Sequence, residues 1–188
     1  MEHLWAPWRK AYLEQGQPLD PDLFCRIAAQ SDDEKNYVLL RGKSCFCLLN
    51  AFPYNTAHCL IVPYRKASRL QELSDAEILE SIGMICHLID AIDATLHPDG
   101  YNVGLNLGAA AGAGLESHLH WHLVPRWAND SNFMTTVGRT RVHPDDLPGV
   151  YHRLKSWLES AGPWTGAYGS GGSREEKGTL QDPDKTAR

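Results

Sequence analysis

Residues 118–122 read His-Leu-His-Trp-His, three imidazoles at two-residue spacing, and Leu123-Val124-Pro125-Arg126 follows at once. On a β-strand the pleat would set His118, His120 and His122 on one face and Leu119, Trp121 and Leu123 on the other. An imidazole titrates near pH 6.5, about neutrality. Three of them on one face can therefore supply a nucleophile, a proton donor and an anion contact. The same three could also form a facial ligand set for zinc, so on spacing alone a metal site stays open beside phosphate chemistry. Just upstream, residues 108–114 contain only glycine and alanine. Backbone amides of such a stretch can approach an anion closely. Amide donors beside an imidazole suit the transfer of a phosphorus-centred group.

The elements that must position these groups read as an α+β pattern. Residues 37–40 and 44–49 are two apolar strands joined by Arg41-Gly42-Lys43, a turn of hairpin length. A loop over 50–55, broken by Pro53, leads to a third strand at 58–63. Ser74-Asp75-Ala76-Glu77 is a capping box, and Ile78, Ile82, Ile85, Ile89, Ile92 and Leu96 recur behind it at helical spacing. Residues 101–107 and 118–124 read as strands, and 147–160 as a helix with Val150, Leu154, Trp157 and Leu158 on one side. The expected fold is an antiparallel sheet with one long helix and a C-terminal helix. Residues 1–19 form an N-terminal extension, 20–161 the domain, and 162–188, rich in Gly, Ser and charge, a flexible tail.

Composition excludes several classes of function. The chain has 188 residues, 43% hydrophobic and 22% charged, enough for one packed core. A net charge of -5 argues against a protein that coats nucleic acid, and no apolar run is long enough for a membrane span. Neither nucleic acid nor membrane is an expected partner. Five cysteines without a disulfide-like framework read as reduced thiols, and with no visible address the expected location is the cytoplasm.

The run HLHWHLVPRW resembles the signature of the histidine triad (HIT) superfamily of nucleotide hydrolases and transferases, and residues 50–63 and 101–108 are similar to its nucleotide-site segments. Residues 4–12 and 132–142 look like the longer bacterial branch similar to diadenosine tetraphosphate phosphorylases and hydrolases. The resemblance implies a HIT-like fold and a homodimer. It makes His120 the nucleophile that attacks phosphorus to form a nucleotidyl-histidine, resolved by phosphate or water, with a backbone carbonyl holding its tautomer. His122 would contact phosphate oxygens, and His118 would support the site or assist the leaving group. Asn50, Asn106, Gly112, Gly114 and Ser117 join His122 around the bound nucleotide. The partner is then a nucleotide or dinucleoside polyphosphate, and no cofactor is implied.

Two alternatives stand beside that reading: a nucleotide-binding protein of the same fold with weak phosphoramidate or nucleotide hydrolysis, and a metal-dependent hydrolase using the three histidines. Zinc-bearing branches of the family bind metal at positions that correspond here to Asp22, Cys25, Lys66 and His118. Lysine is a poor ligand, so no metal is expected. Trp5, Trp8, Trp121 and Trp127 could stack a base or pack an interface, with Trp121 inward, opposite the histidines. Arg65 and Arg126, and more weakly Arg139 and Arg141, are candidates for distal phosphates.

Overall fold

A computed structural model describes residues 20–128, 130, 146–162 and 164–166. The N-terminal extension, residues 132–142 with Arg139 and Arg141, and the tail from 167 lie outside the described residues.

Five antiparallel strands form one sheet: β1 (Val38–Arg41), β2 (Cys45–Leu49), β3 (Cys59–Pro63), β4 (Gly100–Leu105) and β5 (Trp121–Arg126), in the order β1-β2-β3-β5-β4. Every residue of β2 and β3 is buried because both faces of the sheet are covered. Cys45, Cys47, Leu49, Cys59, Ile61 and Leu123 join one apolar cluster with the long helix α2 (Asp75–Leu96) and the C-terminal helix α3 (Leu147–Ser160). Phe46, Leu48, Leu60 and Val62 point the other way, toward Phe24 and Ile27 of a short helix α1 (Leu23–Ala29).

The strands and both longer helices fall within a few residues of expectation, with three differences. Helix α1 has no counterpart in the sequence pattern. It is seven residues long, and its N-cap Asp22 makes no capping bond, because that carboxylate accepts from Lys66 Nζ at 2.7 Å instead. Its other end is held by Arg41, which donates to the carbonyls of Ala28 (3.0 Å) and Gln30 (2.7 Å). Second, α2 carries the expected capping box at Ser74 and Glu77, but its buried face runs through Glu80, Met84, Leu88 and Ala91, leaving Ile82 and Leu79 exposed. The Glu80 carboxylate accepts the amides of Lys43, Ser44 and Cys45 (2.8, 2.5 and 3.0 Å) and so pins the β1–β2 turn to the helix. That approach requires Gly42, where an added Cβ would lie 2.5 Å from Glu80 Oε1 and Met84 Cε. Third, β5 begins at Trp121, so His118 and His120 precede the ladder. Trp164 packs on the core with its ring 5.4 Å from His87.

All five cysteines are free, and burial pushes the Cys45 thiol up to about 11 and that of Cys59 to about 12, which keeps them as inert apolar side chains. Among the described residues no helix is long and apolar enough to cross a membrane.

Candidate active site

The face of the sheet that carries Leu48 and Leu60 also carries the triad. His122 pairs with Leu60 across the β3–β5 ladder, and the Phe24 ring meets His118 and His120 edge-on at 5.5 and 5.1 Å. Between this face, α1 and two loops lies a cavity of about 480 Å³. Leu23, Phe24, Ile27, Leu48, Leu60 and Leu115 form its apolar wall, and His120, His122, Asn106, Gly112 and Gly114 its polar end. Asn50, Phe52 and Tyr54 complete the side formed by the 50–55 loop.

The hydrogen bonds determine what each imidazole can do. His120 Nδ1 lies 3.0 Å from the carbonyl oxygen of His118, and since that oxygen only accepts, Nδ1 must carry the proton. Its Nε2 lone pair is then the free one. Burial pushes the pKa of His120 down, so the ring is neutral at neutral pH. His118 is fully buried, donates from Nε2 to the Pro63 carbonyl at 2.8 Å and turns Nδ1 toward Cys25 Sγ at 3.9 Å. Its ring is not part of the cavity wall; its carbonyl is what touches the nucleophile.

His122 is governed by a fourth histidine that sequence reasoning did not single out. The Tyr54 amide donates to His58 Nδ1 at 3.0 Å, so His58 must be protonated on Nε2, which faces His122 Nδ1 at 2.9 Å. His122 accepts there and carries its own proton on Nε2. Asn106 Nδ2 lies 3.3 Å from that nitrogen, and since two donors cannot pair, the carboxamide must turn to present Oδ1 to the Nε2–H. One main-chain amide thus sets two tautomers and puts the His122 Nε2 proton on the cavity side, beside Asn106. His58 is 1% exposed, and burial, with His122 and His120 next in effect, pulls its pKa down to about 3. A signal was present in the sequence: a histidine opening the apolar run Cys59-Leu60-Ile61-Val62 must be buried, and a buried imidazole needs partners.

The remaining expected site residues divide. Asn50, Asn106, Gly112 and Gly114 line the cavity with His120 and His122. Asn50 also serves its own loop, its Oδ1 accepting from the Phe52 amide at 2.9 Å. In the small-residue loop, Ala109–Ala111 forms a 3-10 turn between glycines of positive φ (Gly108 +80°, Gly112 +88°). The amides of Ala111, Gly112 and Ala113 close that turn, and the Gly114 amide does not take part. Ser117 is not in the wall; its Oγ is buried without a partner. The two arginines expected at distal phosphates are committed elsewhere. Arg65 donates to Glu77 and to the Glu72 carbonyl, and Arg126 to Asp130 and Asn102. Trp121 packs on the opposite face from the triad, and Trp127 donates to the Leu96 carbonyl at 3.3 Å.

Asp22, Cys25, Lys66 and His118 do come together, but the Lys66 ammonium is bound to the Asp22 carboxylate and has no lone pair to give a metal. This donor set does not fit zinc. Among the described residues no group of three His, Cys, Asp or Glu side chains is arranged to hold a metal ion.

Comparison with known proteins gives a consistent family. The HIT domain matches residues 31–129. The chain is 40% identical over 154 residues to the AP-4-A phosphorylase of Mycobacterium tuberculosis, covering 78% of this chain and 79% of that one. It is 29% identical over 137 residues to the adenosine 5'-monophosphoramidase of Schizosaccharomyces pombe, 73% of this chain and 98% of the relative. Among solved structures, a zinc-bound histidine triad family protein from Mycobacterium smegmatis shares the fold at a TM-score of 0.57 and 23% identity, over 74% of this chain and 96% of that one. With this sheet, this triad and a domain match over more than half its length, the chain belongs to the histidine triad (HIT) family.

Proposed function

We propose that this protein is a nucleotidyl transferase that cleaves dinucleoside polyphosphates of the diadenosine tetraphosphate type and passes the nucleotidyl group to inorganic phosphate. The observation that carries the reading is the His120 ring, protonated on Nδ1 against the His118 carbonyl, with its Nε2 lone pair left for the cavity. In the first step Nε2 bonds to the α-phosphorus of one nucleotide, and the bond from that phosphorus to the bridging oxygen breaks, releasing a nucleoside triphosphate. In the second, a phosphate oxygen attacks the same phosphorus, His120 leaves, and a nucleoside diphosphate is formed. His122 Nε2–H donates to the oxygens on which charge grows. The apolar wall takes the base. The 40% identity to a protein named AP-4-A phosphorylase supports phosphate as acceptor.

The metal-hydrolase alternative is disfavoured by where the lone pairs lie. A facial ligand set needs three converging at one point, whereas His122 presents a proton and His118 turns its lone pair to Cys25. Incubation with diadenosine tetraphosphate, with and without phosphate, tests the assignment. ADP plus ATP is expected, and only when phosphate is present. AMP plus ATP without phosphate would make water the acceptor, and strict dependence on stoichiometric zinc would overturn the histidine mechanism.

The working unit we propose is a homodimer. β4 lies at the sheet edge and exposes Val103, and α2 exposes Leu79 and Ile82. Light scattering is expected to give twice the 21.0 kDa chain mass at micromolar concentration, and a monomer mass would refute it.

A further inference from the structure

Arg65 and Arg126 are committed to carboxylates, and among the described residues the cavity wall holds one lysine, Lys35, and no arginine. The Lys35 backbone amide donates to Asp32 Oδ1 at 3.2 Å, while its ammonium makes no hydrogen bond or ion pair among the described residues. The next residue, Asn36, lines the cavity as well. Where in the cavity these two stand decides what they meet.

The sheet register gives the place. Val38 pairs with Leu48, Leu48 with Leu60 and Leu60 with His122, so one row of residues crosses from β1 to the triad. Neighbouring strands lie about 4.8 Å apart, which makes the row about 14 Å long. Lys35 and Asn36 come just before Val38, and the Tyr37 carbonyl between them accepts the Leu49 amide at 3.0 Å, which keeps this stretch beside β2. They stand at the end of the row away from His120 and His122. The cavity, at about 480 Å³, lies in the lower part of the range of about 300–1,000 Å³ usual for small-ligand pockets and suits one nucleotide lying along this row. With its phosphate at His120 and its base on Leu48 and Leu60, the far edge of the base is what arrives at Lys35.

The chemistry of the pair fits such an edge. Asn36 Nδ2 gives its two protons to Gln30 Oε1 at 2.8 Å and to the Asp32 carbonyl at 2.9 Å. A carbonyl only accepts, so the carboxamide is fixed in sense and has Oδ1 left to offer. An ammonium only donates. A donor beside an acceptor matches the six-membered-ring edge of a purine, where adenine presents N1 and its 6-amino group and guanine presents O6 and N1–H. A pyrimidine carries such groups closer to its ribose and falls short of the pair. The loop is also held in place: the Tyr37 and Val38 amides donate to the Glu34 and Asp33 carbonyls (3.1 and 2.8 Å), and the Asp33 carboxylate accepts from Arg41 Nη2 at 2.7 Å. Little ordering is then needed when a base docks.

We propose that Lys35, with Asn36 beside it, reads the base of the nucleotide that becomes bonded to His120 and makes the cavity selective for purines. The inference deepens the nucleotidyl-transfer reading above and rests on it. The apolar wall takes any flat ring, and the Lys35 ammonium adds the contact that only a purine reaches.

The test measures Kd by calorimetry for AMP, CMP and ribose 5-phosphate, which keeps the sugar and phosphate and has no base. Lys35→Met and Lys35→Arg are compared with the unaltered chain, with melting temperature as the check on folding; Lys35 is exposed, so both variants should fold. One charge-assisted hydrogen bond at a site open to solvent corresponds to about a fivefold to thirtyfold change in affinity. Lys35→Met is expected to weaken AMP by a factor in that range, to leave ribose 5-phosphate unchanged and to lower the preference for AMP over CMP by the same factor. Lys35→Arg should keep most of that preference. Equal weakening of AMP and ribose 5-phosphate would place the ammonium on the phosphate, and either that result or an unchanged AMP affinity would overturn base reading while leaving the transfer chemistry standing. An unaltered protein that neither binds AMP nor converts diadenosine tetraphosphate would overturn both.

Discussion

Replacing His120 with alanine is expected to lower kcat on diadenosine tetraphosphate by at least about 10⁴-fold, the scale seen when a covalent nucleophile is removed. Affinity for AMP should change by only a few fold. The two effects separate because different groups carry them. Binding draws on the apolar wall and the His122 donor, which do not depend on the His120 ring. In the proposed mechanism bond making depends on one lone pair, on Nε2, left by the bond from Nδ1 to the His118 carbonyl at 3.0 Å. Product chromatography gives kcat and calorimetry gives the Kd. The unaltered enzyme, quenched during turnover, should carry the added mass of one nucleotidyl group, and the variant should not. The pH profile follows from the same ring. Protonation removes the nucleophile, so activity falls toward acid, and because burial pushes the His120 pKa down, the midpoint of that fall should lie below 6.5. A variant with undiminished kcat would end the covalent mechanism.

Much of this site was legible in the sequence because it is periodic. Alternation placed three histidines on one side, and the cross-strand pairing of His122 with Leu60 shows that side facing α1. The capping box marked the start of α2, since it is a local arrangement of four residues. Local pattern could not reveal what depends on distant partners. Helix α1 is too short to show a period, and its N-cap carboxylate is bound to Lys66, 44 residues away. Yet this helix supplies Leu23, Phe24 and Ile27 to the cavity wall. On α2, apolar residues run around much of the helix, so isoleucine spacing alone suggested a face containing Ile82. The phase was decided by Glu80, a carboxylate drawn inward by three amides of the β1–β2 turn. A charged residue is an unlikely core position until the donors it meets are known. The arginines illustrate the reverse: Arg65 and Arg126 sit at strand ends near the site, but nearby carboxylates neutralise both.

Acid should weaken this protein strongly between pH 6.5 and about 3, and His58 should account for much of the loss. Its pKa is near 6.5 when unfolded and about 3 in the folded chain, chiefly because burial penalises the charged ring. The folded state therefore binds the proton less tightly than the unfolded state. Stability is fully present above pH 6.5 and declines as pH falls toward 3. At about 1.4 kcal/mol per pKa unit the ring contributes on the order of 4 kcal/mol across that window. His118 and His120, whose pKa values burial also lowers, add loss of the same sign. Against a typical total of about 5–15 kcal/mol this is enough to bring the domain close to unfolding. The geometry gives the reason: His58 Nδ1 already accepts the Tyr54 amide at 3.0 Å, and a proton there would set two donors face to face. Urea melts at pH 7.5, 6.5, 5.5 and 4.5, comparing the unaltered chain with His58→Phe, separate this ring from the rest. The phenylalanine variant keeps bulk, cannot titrate and leaves the Tyr54 amide without its acceptor. It should start about 1–3 kcal/mol less stable at pH 7.5 and lose less between 6.5 and 4.5. Parallel slopes for the two proteins would show that His58 is not the titrating group. The same variant frees the tautomer of His122, so its kcat should fall even where melting shows it fully folded.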